Sequence, residues 1–243
     1  MRNTSPMISA VIPTLNAERH IGRTLAALIP AAVDGLVREV IIADGGSTDA
    51  TLSIADHAGA EIVLGPKGRG SQLKAGAARA RFPWLLFLHA DTVLEHGWIG
   101  EVGELLDEVA AWRREQVAAV FRFALDDRGL APRIVERGVA MRTRLMKLPY
   151  GDQGLLMPRA LYDAVGGFYD LPLMEDVDIV RRIGRQRIEV LDSRALTSAE
   201  RYRSEGYARR VVRNLACLAM YYAGVPPQRL TSFYNRDRRA VGA

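Results

Sequence analysis

Three short polar clusters carry most of the chemistry this sequence can offer. Phe87-Leu88-His89-Ala90-Asp91-Thr92 sets an imidazole and a carboxylate two residues apart at the end of the apolar run 83–88. On a strand that persists, both side chains point the same way. Such a pair can hold a divalent cation: carboxylate oxygen suits Mg2+, and an imidazole moves the preference toward Mn2+ or a later metal. A structural histidine beside a strand-end cap is the competing reading. Glu175-Asp176-Val177-Asp178 gathers three carboxylates at a helix start. Crowded like charges raise at least one pKa, which suits a general base, although a helix dipole favours the same acids in any first turn. Asp44-Gly45-Gly46-Ser47-Thr48-Asp49 follows a β-branched run. Its glycines allow close backbone approach to a ligand, and Asp44 at a strand tip can accept from a base N–H or a ribose hydroxyl. An ordinary capped βα turn has the same composition.

Two further loops are glycine-rich. Gly65-Pro66-Lys67-Gly68-Arg69-Gly70-Ser71 has the outer glycines of a P-loop but Ser71 where the lysine must stand, which excludes a P-loop ATPase or GTPase. Lys67 and Arg69, ahead of a helix, can still contact a diphosphate. Asp152 and Gln153, on Tyr150-Gly151-Asp152-Gln153-Gly154, are candidates for acceptor contacts or for a capped turn. No segment carries the G-x-G-x-x-G dinucleotide fingerprint.

Regular alternation must position these groups. Strands are expected over 8–13, 37–43, 61–64 and 83–88, with helices over 17–28, 49–58 and 71–81 between them. That order implies a parallel, doubly wound sheet with ligands beyond the carboxyl ends of its strands, where the polar clusters fall. The second half is less regular. Helices are expected over 98–112, 130–147 (basic and amphipathic) and 159–165 and from about 173, strands over 118–125, up to 157 and over 188–191, and then a helical tail. No linker or repeat divides the chain. One domain over 1–243 is expected, with about 7–125 as its nucleotide half and about 126–243 as acceptor half and tail.

The net charge of +5 comes almost wholly from arginine, since lysine occurs only at 67, 74 and 147. Arginine forks suit phosphate and carboxylate. The basic stretches 128–147 and 201–213 lack the array of aromatics that a nucleic-acid platform uses, so no nucleic acid partner is expected. Cys217 is the only cysteine, which excludes a disulfide framework and a cysteine-rich zinc site and fits a reducing cytoplasm. No signal peptide or membrane-spanning run is read. With no amphipathic anchor of clear moment, a cytoplasmic protein with at most peripheral contact to the inner face of a membrane is expected.

Taken in order, the motifs Ile8-Ser9-Ala10-Val11-Ile12-Pro13-Thr14-Leu15-Asn16-Ala17-Glu18, Glu39 through Asp49, Phe87 through Thr92 and Glu175 through Asp178 resemble those of family 2 glycosyltransferases. The resemblance runs from about Ile8 to Tyr234. It implies a Rossmann-like, mostly parallel sheet flanked by helices (GT-A-like) with a helical C-terminal tail. It implies an inverting, metal-dependent enzyme that moves a sugar from a UDP- or GDP-linked donor to an acceptor hydroxyl. By that resemblance Pro13, Thr14, Asn16, Glu18, Asp44, Gly45, Gly46, Ser47, Arg69, Gln72 and Ala90 form the nucleotide wall. Asp91, with His89 where a carboxylate usually begins the motif, would meet Mn2+ or Mg2+ on the diphosphate. Asp176, next to Glu175, would be the catalytic base. Glu200-Arg201-Tyr202 departs from the family's Q/R-R-W element. The segments 68–73, 88–92 and 150–154 are similar to a bacterial subgroup linked with arsenosugar biosynthesis. Two alternatives stand beside this reading: a non-catalytic nucleotide-sugar-binding protein, and a nucleotidyltransferase that forms sugar nucleotides. The latter would want a basic, glycine-rich loop directly after the first strand, where Pro13 through Glu18 stand.

Overall fold

Aliphatic runs in the first half form one side of the sheet, and the computed structural model describes residues 7–113 and 115–241. In chain order β1 (Ile8–Thr14), α1 (Ile21–Val33), β2 (Val37–Asp44), α2 (Thr51–His57), β3 (Glu61–Leu64), α3 (Arg69–Arg79) and β4 (Trp84–Phe87) alternate, and these four strands pair in parallel. Successive side chains of a strand face opposite sides of the sheet. Val11, Ile41 and Leu85 therefore meet α3 on one face, while Ile12, Ile42 and Leu86 meet α1 on the other. Gly76 lets α3 lie directly on β1: a Cβ there would overlap the Val11 side chain.

The second half adds β5 (Thr92–Leu94), α4 (Trp98–Ala110), β6 (Ala118–Asp126), α5 (Leu130–Met146), a 3-10 turn (Gly151–Gln153), β7 (Leu155–Pro158), α6 (Arg159–Ala164), α7 (Glu175–Ile183) and β8 (Ile188–Ser198). α8 (Glu200–Glu205), α9 (Tyr207–Tyr222) and α10 (Pro227–Val241) make the expected helical tail. The eight strands lie in the order β3-β2-β1-β4-β7-β6-β8-β5. Four neighbouring pairs are parallel, and β7 and β5 run against their neighbours. The sheet is mixed α/β, as expected.

Three local expectations change. The first helix begins at Ile21 rather than 17, because Asn16 takes a left-handed φ of 51° and residues 17–20 form a turn. The strand expected over 188–191 continues to Ser198, held by β6 on one side and β5 on the other. The strand over 83–88 ends at Phe87, and the chain turns, with Thr92 N donating to His89 O at 3.2 Å. His89 and Asp91 thus sit on a turn, and strand alternation does not set their directions.

Candidate active site

The adjacent tips of β1 and β2 build the first wall. Thr14 pairs with Asp44 in register, and its hydroxyl donates to Asp44 Oδ1 at 2.8 Å. The same carboxylate accepts from the backbone N–H groups of Gly46 and Ser47 at 2.8 and 2.7 Å and from the Ser47 hydroxyl. Burial pushes the Asp44 carboxyl up, but the hydrogen bonds from Ser47, Thr14 and Gly46 outweigh it and hold it below its usual range. Asp44 is fully buried, so its carboxylate shapes the turn and does not face open solvent. Asn16 Oδ1 accepts from Thr48 N, and Glu18 Oε2 accepts from Ala50 N, which stitches the two loops together. Gln72 reaches from α3 and donates to the carbonyls of Thr14 and Ala43, closing the floor beneath Gly45. The structure brings Thr14, Asn16, Glu18, Asp44, Gly45, Gly46, Ser47 and Gln72 together, with half-buried Pro13 at the end of β1. Ala90 lies farther along the rim, its carbonyl accepting from Thr24.

A second wall forms where α3, the His89 turn, the Gly151 turn and α7 meet. Arg69, in the first turn of α3, places Nε 3.2 Å from Glu175 Oε1 and Nη1 3.4 Å from His89 Nε2. Glu175 is buried, and its Oε1 has charge contact with Arg69 without an aligned hydrogen bond. Burial raises the Glu175 carboxyl against the pull of Arg69, with Asp176 adding a smaller push upward. Desolvation is therefore the larger cause, ahead of the like-charge crowding expected of the acidic trio. Glu175 in turn keeps the Arg69 guanidinium firmly protonated. Asp178 leaves the trio: it pairs with Arg182 at 2.6 Å one helical turn on.

Asp176 accepts from Gly151 N at 2.8 Å and from Val177 N at 2.8 Å. A Cβ at Gly151 would lie 2.6 Å from His89 Nε2, so a larger residue there would have to displace the imidazole. Burial and the neighbouring Arg69 push His89 down to about 4. The imidazole is therefore neutral near pH 7, and its Nε2 is an acceptor facing Arg69.

Asp152 and Gln153 separate although they are adjacent in sequence. Asp152 keeps a buried Oδ1 without a partner, and burial raises its carboxyl to about 6 against the pull of Arg142. Gln153 turns inward: its amide accepts from Thr143 Oγ1 and donates to Phe121 O, each at 3.0 Å. It is buried, braces the turn and does not line the cavity that Asp152 faces.

Asp91, Arg69, Asp152, Asp176, Arg201 and Tyr234 all line one cavity of about 110 Å³ beyond the carboxyl end of β4. With Glu175 and Arg210 on the same lining, four carboxylates and three guanidinium groups so placed can bind a diphosphate, take a proton from a hydroxyl and hold a cation. Among the described residues no cluster of three or more histidine, cysteine or acidic side chains is arranged around one metal position. Hard divalent cations tolerate such sparse protein ligation, since phosphate and water oxygens complete their shell. Asp91, half-buried on the cavity wall, fits that donor set.

Sequence reasoning missed the contribution of the tail. Arg210, Asn214 and Tyr234 face the cavity beside Tyr202, which the sequence marks only within the departure at 200–202. Arg210 stacks over Tyr202 and Arg213 over Tyr234, each 4.8 Å from the ring centroid. These stacked pairs pack the tail helices together and present Tyr202, Arg210 and Tyr234 to the cavity, a juxtaposition that no local motif announces.

The family model of glycosyl transferase family 2 matches residues 9–152. A PGL/p-HBAD biosynthesis glycosyltransferase of Mycobacterium tuberculosis is 36% identical over 103 residues, covering 37% of each chain. An uncharacterized glycosyltransferase of the same organism is 33% identical over 117 residues, covering 46% of this chain and 51% of its own. The matches thus span between about a third and half of these relatives' length. Among solved structures, glucosyl-3-phosphoglycerate synthase from M. tuberculosis, in complex with Mn2+, UDP and glucosyl-3-phosphoglycerate, aligns with a TM-score of 0.61 at 22% identity. It covers 91% of this chain and 81% of its own. S. aureus TarS 1–349 aligns with a TM-score of 0.60 at 19% identity, covering 95% and 71%. These likenesses show a shared fold.

Proposed function

The chain belongs to glycosyl transferase family 2 and is a glycosyltransferase, and from that premise we propose a metal-dependent, inverting transfer of a sugar from a nucleoside-diphosphate donor to an acceptor hydroxyl. The observation that carries this reading is that Asp176, Asp91 and Arg69 face one cavity at the carboxyl end of the sheet. Asp176 takes the acceptor proton as that oxygen forms its bond to the anomeric carbon. The bond from the anomeric carbon to the diphosphate oxygen breaks on the opposite face, and the electron pair leaves with the diphosphate. The Gly151 N–H fixes the Asp176 carboxylate, leaving its other lone pairs for the acceptor. Arg69 is held toward the leaving group by Glu175 and by the neutral His89. Asp91 would hold Mn2+ or Mg2+, which when bound offsets charge on a departing diphosphate. His89 supports Arg69 in this reading and is not assigned as a metal ligand.

The nucleotide would lie along the 13–18 and 44–47 loops, whose backbone edges are exposed while Asp44 holds their shape. The Mn2+ and UDP printed for the structural neighbour support UDP-sugars as the first donors to test, with GDP-sugars beside them. Asp152 is assigned to the acceptor, and an arsenosugar-type hydroxyl compound is the finer candidate for it.

A positioned base contributes ~10²–10⁴-fold. Asp176→Asn should lower transfer by that factor while donor affinity, read by isothermal titration, stays within about twofold. Asp91→Ala should abolish the Mn2+ dependence of donor binding. Retained turnover in the first variant would reject the base. A donor titration with unchanged Mn2+ dependence in the second would reject the cation site.

A further inference from the structure

α5 has an apolar stripe on the wrong side for a core helix. Its buried residues are Pro132, Val135 and Thr143. On the opposite face Leu130, Ile134, Met141 and Leu145 are 83%, 67%, 62% and 71% exposed. At about 100° per residue these four side chains fall within about 60° of arc, and Arg133, Arg137 and Arg144 occupy the adjoining ~60°. The only acid on the helix, Glu136, is turned inward to Arg133 and Leu125 N and leaves the outer face without a carboxylate. The neighbouring α9 packs on α5 through Val135, Val139 and Val211 and exposes Val212 and Leu215. An apolar band on one helix with arginines along its border is the pattern of a helix lying in a lipid interface. No anchor of clear moment is read from the sequence; the burial pattern of α5 is what raises one.

We propose that the outer face of α5 docks this protein on an anionic bilayer surface, with the leucine, isoleucine and methionine side chains inserted among acyl chains and Arg137 and Arg144 on lipid phosphates. Charge selects this occupant over a second copy. A two-fold contact across α5 would set Arg137 and Arg144 against the same arginines of the other chain, with no exposed carboxylate on the helix to answer them. An anionic membrane answers both the stripe and its border.

The inner face of α5 gives docking a consequence, which rests on the transfer reading. Arg142 Nε donates to Leu148 O at 2.9 Å and Thr143 to Gln153, so α5 holds the loop that carries Gly151 and Asp152. A docked α5 would place the acceptor side of the cavity beside the lipid surface, favouring acceptors whose hydroxyl is lipid-anchored.

Sedimentation of the full chain with phosphatidylcholine vesicles, with and without added phosphatidylglycerol, tests the docking without any donor or acceptor. Binding is expected only with the anionic lipid and should weaken as salt rises. Ile134→Glu/Met141→Glu and, separately, Arg137→Glu/Arg144→Glu should each weaken binding by at least about tenfold. Circular dichroism should be unchanged, because all four positions are exposed. No binding to anionic vesicles, or equal binding by both variants and wild type, would overturn the proposal. So would a stable dimer by light scattering that the apolar variant converts to monomer, since the face would then belong to a second copy. Vesicle binding with no detectable sugar transfer would leave docking standing and reject the transfer reading alone.

Discussion

At Asp152 the fold buries a carboxylate oxygen without a partner, and this has a measurable cost. A carboxyl raised to about 6 from an ordinary 3.8 binds its proton more tightly when folded than when unfolded. Stability is therefore lost as pH rises from about 4 through about 6, the reverse of a salt-bridged acid. Asp152→Asn should raise stability by about 1–2 kcal/mol at pH 8 and change it little at pH 4. Thermal melts at the two pH values check this; an equal effect at both would mean the carboxyl is not desolvated. His89 has the opposite sign. Its proton affinity is lowered to about 4, so its contribution is complete above about 6.5 and fades as pH falls toward 4. The residue types were legible: 89 and 91 as a cation pair, 152 as an acceptor contact and 176 as a base. The partner of each was not, because Arg69 reaches His89 across twenty residues and Gly151 reaches Asp176 across twenty-five.

Among the elements, α3 and the segment before α7 are coupled by contact without a side chain. Gly70 lies against the backbone of Tyr169 and Leu171, where a Cβ would overlap the Tyr169 carbonyl. Backbone cannot swing aside as a side-chain end can, so Gly70→Ala should cost about 1–3 kcal/mol in urea denaturation. It should also weaken donor binding, because the same contact aligns Arg69 on α3 with Glu175 on α7. A variant with wild-type stability and donor affinity would show that the loop simply moves. The N-terminal strands and helices were legible from hydrophobic periodicity, since each buries aliphatic runs within its own span. β5 was not, because three residues make no periodic signal, and the polar end of β8 exists as strand only where β6 and β5 pair with it.

Over the whole molecule, the helical tail completes the site. Leu230 of α10 is fully buried in the same apolar layer as α3, α7 and α9, and Tyr234, one turn further, lines the cavity. Leu230→Ala should lose about 2–4 kcal/mol of stability. It should also raise the acceptor KM more than it lowers kcat, because Tyr234 would lose its seat while Asp176 would not. Steady-state kinetics with varied acceptor would show this; an unchanged KM would place the acceptor elsewhere. The sequence alone determined the α/β class, the positions of the glycine-rich and acidic motifs and the family, because hydrophobic period and motif spacing are local properties of the chain. Only the tertiary structure decided that Asp44 and Gln153 act inward, that Glu175 and His89 both attend Arg69, and that α5 shows its apolar stripe to the outside. Those outcomes depend on which faces are covered and which charges are desolvated, and both are set by neighbours distant in sequence.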